Sequence, residues 1–299
     1  MYNPARMAAD LAGDFGGTFP FEARFLEVDD LRIHYVDEGD RDAAPILMLH
    51  GNPTWSYMYR VPIRSLSERG HRCIAFDHMG FGRSSKPPEP RRYILSTHVQ
   101  NAIAVLDQLD LNDVTLVCHD WGGPIGLAAA LERPRRVSRV VAMNTWAWEL
   151  PSFLPSFLRQ FRSEGLGEIL ALASNAVVES IPGGMVSRDS DGAMMEAYRA
   201  PHPDYWSRLG TLAFIRDIPL TEHDVSAPLM GHIHESLAEL NVPLLLVWGM
   251  RDRVFVPAFL DQWQAVFPDA HKIELQAGHY LVEDAPDEVA DAIHEFVSA

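Results

Sequence analysis

Short apolar runs rich in β-branched residues recur along the chain: ILMLHG (46–51), CIAFD (73–77), VTLVCH (114–119), VVAMN (140–144), LLLVWG (244–249) and KIELQ (272–276). Between several of them, apolar residues return every three or four positions, as in THVQNAIAVLDQLDL (97–111) and PDEVADAIHEFV (286–297). The first pattern predicts strands and the second amphipathic helices. Their alternation predicts a parallel sheet with helices packed on both faces. Ahead of them, FLEVDDLRIHYVDEG (25–39) reads as an antiparallel hairpin at the sheet edge. Six runs and a hairpin make a mostly parallel, eight-stranded α/β core.

One segment breaks this rhythm. From Thr145 to Pro228 the chain offers no parallel-strand pattern and is rich in aromatics, Pro, Gly and Met, as in WAWELPSFLPSFLRQF, IPGGMVS and MMEAYRAPHPDYW. It is too apolar for a disordered linker. The expected organisation is therefore a first core part over 1–144, an inserted helical cap over 145–228 and a second core part over 229–299. A cap of this kind shields a site from water and gates substrate.

The composition, 47% hydrophobic and 22% charged, is that of an ordinary globular enzyme. Lys and Arg number 25 against 41 Asp and Glu, a formal charge of -16. So acidic a surface repels nucleic acid and anionic membranes, which leaves a small neutral molecule as the expected partner. Nothing in the sequence specifies an oligomeric state. The N-terminal stretch has no cationic segment followed by an apolar run, and no stretch reaches the roughly 18 apolar residues of a membrane span, so the expected location is the cytoplasm. Cys73 and Cys118 both fall in apolar strand patterns. They read as buried small hydrophobes, without a second thiol at zinc-ligand spacing, and no metal site is expected.

In an open parallel sheet ligands gather at the carboxyl ends of the strands. There, VTLVCHDWGGPIGLAAALE runs from strand through Asp120 into a small-residue helix with Pro124 in its first turn. This is the sharp strand-turn-helix that exposes a nucleophile, of the form small-X-nucleophile-X-Gly, with Cys118 in the first place and Asp120 in the third. An N-cap role for Asp120 is the plainer alternative. Two further strand ends weigh against it: MRDRVFVP places Asp252 after LLLVWG, and AGHYLVEDAP places His279 after KIELQ. Nucleophile, acid and histidine then follow in the chain order of the α/β-hydrolase triad. The loop LHGNPTWSYMYR supplies the backbone N–H of Asn52, and the residue after the nucleophile supplies that of Trp121, as the two oxyanion-hole donors.

A carboxylate nucleophile attacks carbon and forms an ester with the enzyme, so the substrate should carry a leaving group on saturated carbon. His279, oriented by Asp252, then activates water against that ester. A departing halide needs N–H donors and no proton, whereas an epoxide oxygen needs a general acid such as tyrosine. The Trp121 indole and the Asn52 amide are neutral donors of that kind.

At this point the sequence resembles the haloalkane dehalogenases of the α/β-hydrolase superfamily. The motifs that carry the resemblance are HGNPTWSYMYR, DHMGFGRSSKP, HDWGG, WGMRD and AGHYLVEDAP, spread over nearly the whole chain. It implies the α/β-hydrolase fold with a cap, hydrolysis of a small apolar halogenated substrate by water to alcohol, halide ion and a proton, and no cofactor. Position by position it implies Asp120 as nucleophile, His279 as base, and Asn52 with Trp121 as halide donors. One family branch places a Glu after the sixth strand; here that place holds Asn144, so the resemblance is to branches with an Asp after the seventh strand, Asp252.

Trp146, Trp148 and Trp206 are candidates for pocket lining or a further halide donor. The runner-up activity is an epoxide hydrolase with the same triad and lid tyrosines as acids, for which Tyr198 and Tyr205 are available; Asn52, where such enzymes carry an aromatic residue, argues against it. Trp121 argues against a fluoroacetate-type dehalogenase, which has Arg after the nucleophile. A non-catalytic binding member of the fold would be expected to lose a triad residue, and none is lost.

Overall fold

Burial on both faces is what turns the apolar runs into central strands. In this computed structural model, which describes residue 11 and residues 13–150, 155–187 and 192–299, every residue of β3 (Pro45–Leu49), β5 (Val114–Asp120) and β7 (Leu244–Gly249) is buried. Parts of the expected first core segment (1–10 and 12) and of the expected cap (151–154 and 188–191) lie outside the described residues. The sheet has eight strands in the order β1-β2-β4-β3-β5-β6-β7-β8. Here β1 is Arg24–Val28, β2 Leu31–Glu38, β4 Arg72–Phe76, β6 Val137–Thr145 and β8 His271–Leu275. The β1–β2 hairpin is antiparallel and meets β4 antiparallel; every other pairing is parallel. At the far edge, β8 is largely exposed and half polar, as an edge strand should be.

Helices α1 (Arg60–Glu68), α2 (Leu95–Gln108) and α3 (Gly122–Glu132) pack against this sheet. The chain from Gly122 to Ala130 in α3 is buried all round, which explains its run of Gly and Ala. Cys73 and Cys118 are buried free thiols. Between β6 and β7 the chain is helical, including α4 (Ser156–Arg162), α5 (Gly192–Arg199) and α6 (Leu209–Asp217), followed by α7 (Ala227–Ser236). Because α7 packs on α3 of the core, the expected boundary at 228 falls inside its first turn. After β7 come α8 (Pro257–Val266) and the terminal α9 (Pro286–Ser298). No helix among the described residues is long and apolar enough to cross a membrane.

Tight contact under the β5–α3 turn makes a testable demand. A Cβ on Gly123 would lie 1.8 Å from Thr145 Oγ1, which donates a 2.6 Å hydrogen bond to the Asp120 carbonyl. Rotating Thr145 breaks that bond and still leaves its Cβ 2.9 Å away. Gly123→Ala is therefore expected to destabilise the fold by roughly 1–3 kcal/mol, seen as a lower urea midpoint at unchanged slope.

Candidate active site

The strand β5 ends in a forced turn. Asp120 has φ of 51°, a left-handed backbone that non-glycine residues adopt at a cost, and it carries its carboxylate out of the sheet at the start of α3. Gly51 is required opposite, since a Cβ there would lie 2.3 Å from Asp120 Cβ and Oδ1. This approach lets the Asn52 backbone N–H donate to Asp120 Oδ1 at 2.7 Å, and the Trp121 backbone N–H also bonds the carboxylate. Burial raises the Asp120 pKa, while His279 and these two N–H groups act against that rise.

His279 follows β8 and faces both carboxylates. Its Nδ1 lies 2.9 Å from Asp252 Oδ2, and its Nε2 lies 3.8 Å from Asp120 Oδ2. Two backbone bonds hold it in place: its N–H donates to the Gly184 carbonyl at 2.8 Å, and its carbonyl accepts from His119 Nε2 at 2.8 Å. Burial disfavours the imidazolium, yet Asp252 first and Asp120 after it outweigh burial, so the His279 pKa is raised. Asp252 is the converse: burial pushes it up, but His279, the Val254 N–H and Asn144 leave it lowered.

Asn144 has a role that sequence reasoning missed. Its Nδ2 donates to Asp252 Oδ2 at 2.8 Å, while its Oδ1 accepts from the Gly249 N–H at 2.7 Å. The position near the end of β6 that lacks a carboxylate thus holds Asp252, which follows β7. The only sequence cue was an amide at a strand end.

Above Asp120 lies a cavity of about 240 Å³ whose walls include Asn52, Trp121, Trp146, Leu158, Ile215 and Phe255. One N–H of the Asn52 amide is engaged at 3.0 Å by the Thr211 carbonyl of α6, which leaves the second. Inserted residues and core strand ends therefore enclose one apolar space.

Residues 44–176 match the α/β hydrolase fold family. The chain is 39% identical over 280 residues to haloalkane dehalogenase 2 of Mycobacterium tuberculosis, covering 93% of this chain and 95% of that protein. It is 38% identical over 287 residues to a cis-3-alkyl-4-alkyloxetan-2-one decarboxylase of Shewanella oneidensis, covering 93% and 89%. The crystal structure of haloalkane dehalogenase DbeA from Bradyrhizobium elkani superposes with a TM-score of 0.85 at 30% identity, covering 93% of this chain and 98% of that one. The chain belongs to the haloalkane dehalogenase family.

Within this dehalogenase framework the remaining candidates separate. Trp146 lines the cavity, edge-on to Trp121 with ring centroids 5.0 Å apart and stacked on Phe255 at 5.3 Å. Its indole N–H is buried without a partner among the described residues. Trp148 instead packs on Trp263 and Phe259, and Trp206 is 50% exposed; neither is in the cavity wall. The lid tyrosines are also elsewhere: Tyr198 is buried with its hydroxyl on Glu283, and Tyr205 is exposed. Tyr280 does line the cavity, beside His279. Among the described residues no group of three or more metal-ligating side chains is placed to hold an ion.

Proposed function

We propose that this chain hydrolyses the carbon–halogen bond of small haloalkanes through an ester on Asp120, with residues 145–228 as the lid. The observation that carries the reading is a carboxylate at the floor of an apolar cavity, flanked by Asn52 and Trp121, with Tyr198 and Tyr205 remote from it. An Asp120 oxygen attacks the halogen-bearing carbon, the carbon–oxygen bond forms as the carbon–halogen bond breaks, and the halide leaves with its electron pair. N–H donors from the Trp121 indole and the Asn52 amide stabilise the departing ion, and no acid is needed. His279 then takes a proton from water, which attacks the ester carbonyl; the backbone N–H groups of Asn52 and Trp121 hold the oxyanion, and alcohol is released.

The charges support this sequence of steps. Asp120 helps to raise the His279 pKa, so esterification, which removes the Asp120 charge, makes His279 more often neutral when a base is required. Asp252, buried and braced by Asn144, orients the ring and stabilises the imidazolium formed.

A second reading follows from the decarboxylase relatives. Attack by Asp120 on the ring carbon that bears oxygen in an oxetan-2-one would also expel an anion without a proton, here a carboxylate. Loss of carbon dioxide with return of the Asp120 carboxylate would leave an alkene. Incubation with 1-bromoalkanes of several chain lengths, with halide and acid release followed, is expected to show turnover. Absence of release across the panel, with an alkene and carbon dioxide formed from a cis-3,4-dialkyloxetan-2-one, would overturn the first reading in favour of the second.

A further inference from the structure

A second cavity, of about 450 Å³, opens beside the first, and the two share Ser180, Arg253, Val254, His279 and Tyr280 in their walls. Its other walls come from the Gly184–Val186 turn of the inserted segment and from the loop after β7. The charged groups that face it are Arg251, Asp252, Arg253 and His279. Asp252 is engaged by His279, Asn144 and the Val254 N–H, and Arg251 bonds Gln276 at 3.3 Å. Arg253 is exposed and has no hydrogen-bond or ion-pair partner among the described residues.

Arg64, Arg91, Arg135 and Arg139 likewise have no side-chain partner among the described residues, but none of these lines either cavity. With a formal charge of -16, carboxylates are plentiful, and Arg60, Arg72, Arg133 and Arg199 each hold one. An unengaged guanidinium at the junction of an apolar cavity and an open one offers a fork of donors to a planar anion. Val186 and Val256, 39% and 40% exposed, add apolar surface to the two cavity walls.

We propose that Arg253 is a specificity-determining residue that binds the carboxylate of a substrate whose other end carries the leaving group above Asp120. The favoured class is then the ω-haloalkanoates in preference to plain haloalkanes. The proposal rests on the displacement reading for its reacting end. Its physical content is two-point binding: the chain between the anchored ends lies in the apolar cavity, so one chain length satisfies both. At an exposed site the gain is modest, about threefold, and salt-sensitive.

The test compares ω-bromoalkanoates with 1-bromoalkanes of equal carbon number in the wild type, Arg253→Gln and Arg253→Lys. Expected is a kcat/KM for the acids that peaks at one chain length, about threefold above the matching bromoalkane. That preference should vanish through KM in Arg253→Gln, return in part in Arg253→Lys, and shrink with added salt. Equal loss on acids and bromoalkanes in Arg253→Gln would assign the residue to structure or halide exit and overturn the proposal, as would the absence of an optimum length. Calorimetric titration with unreactive alkanoates separates this from failure of the dehalogenation reading: even without turnover of any bromide, binding to wild type but not to Arg253→Gln supports the carboxylate site, and equal or absent binding refutes it.

Discussion

Asp120→Asn is expected to abolish halide release, by at least about 10⁴-fold in kcat, while His279→Phe should expel one halide per active site and then stop. The two outcomes differ because the proposed reaction uses the residues in different steps. Asp120 supplies the electron pair that displaces halide, and an amide at that position is a poor nucleophile with the same shape. His279 cannot usefully deprotonate a carboxylate that is already ionised; its Nε2 stands 3.8 Å from Asp120 Oδ2, beside the ester carbonyl that water must attack. Phenylalanine fills the ring's space without a base. Rapid-quench halide measurement and intact mass should therefore show a burst and a stable adduct of alkyl mass on the His279 variant. If no adduct accumulates, the division into displacement and hydrolysis is wrong. In the wild type, the pH limit of the hydrolysis step is expected to lie below the value His279 has in the free enzyme, because the ester no longer carries the Asp120 charge that helps to raise it.

Acidification is expected to unfold the protein cooperatively between about pH 5 and 4, because histidines buried neutral must take up protons. Burial lowers His50 to about 4, and His98, His119 and His202 to about 3, from 6.5. His98 shows why: it stacks on Phe214 with centroids 4.5 Å apart, and neither ring nitrogen has a partner among the described residues. The unfolded chain binds these protons below about 6.5 and the folded chain does not, so their contribution is complete above that pH and is lost as pH falls toward 3–4. Each costs about 1.4 kcal/mol per pH unit inside that window. Asp217 works in the opposite direction, since burial raises it to about 6 and the folded state gains its proton first. The net slope is roughly 4 kcal/mol per pH unit, against a total stability of the order of 5–15 kcal/mol. Circular dichroism during acid titration checks this, with His98→Phe expected to move the midpoint to lower pH. A chain that keeps its secondary and tertiary signals to pH 3 would show that those histidines find relief through local opening instead.

The candidate triad was legible because each member stands at the carboxyl end of a strand whose apolar run is unmistakable. The parallel α/β pattern brings such ends together whatever else the chain does. Asp120 carried a second signal, the small residues around it, which only a turn with φ near 51° and a helix pressed against Leu49 and Thr145 requires. The inserted segment was equally visible as a break in periodicity. What it covers, and with which side chains, was not.

Strand periodicity thus settled the core and its chain order, and the chemistry of short motifs named the candidate nucleophile, acid and base, because those signals are local. Contacts between distant segments settled the rest. Asn144 meets Asp252 across 108 residues. Trp146 lines the cavity while Trp148, two residues on, packs into the core. Tyr198 is drawn to Glu283 and away from the cavity above Asp120, and Arg253 has no partner among the described residues at the junction of two cavities. Each of these is a choice among partners that lie far apart in sequence, and only the packed chain brings the partners within reach.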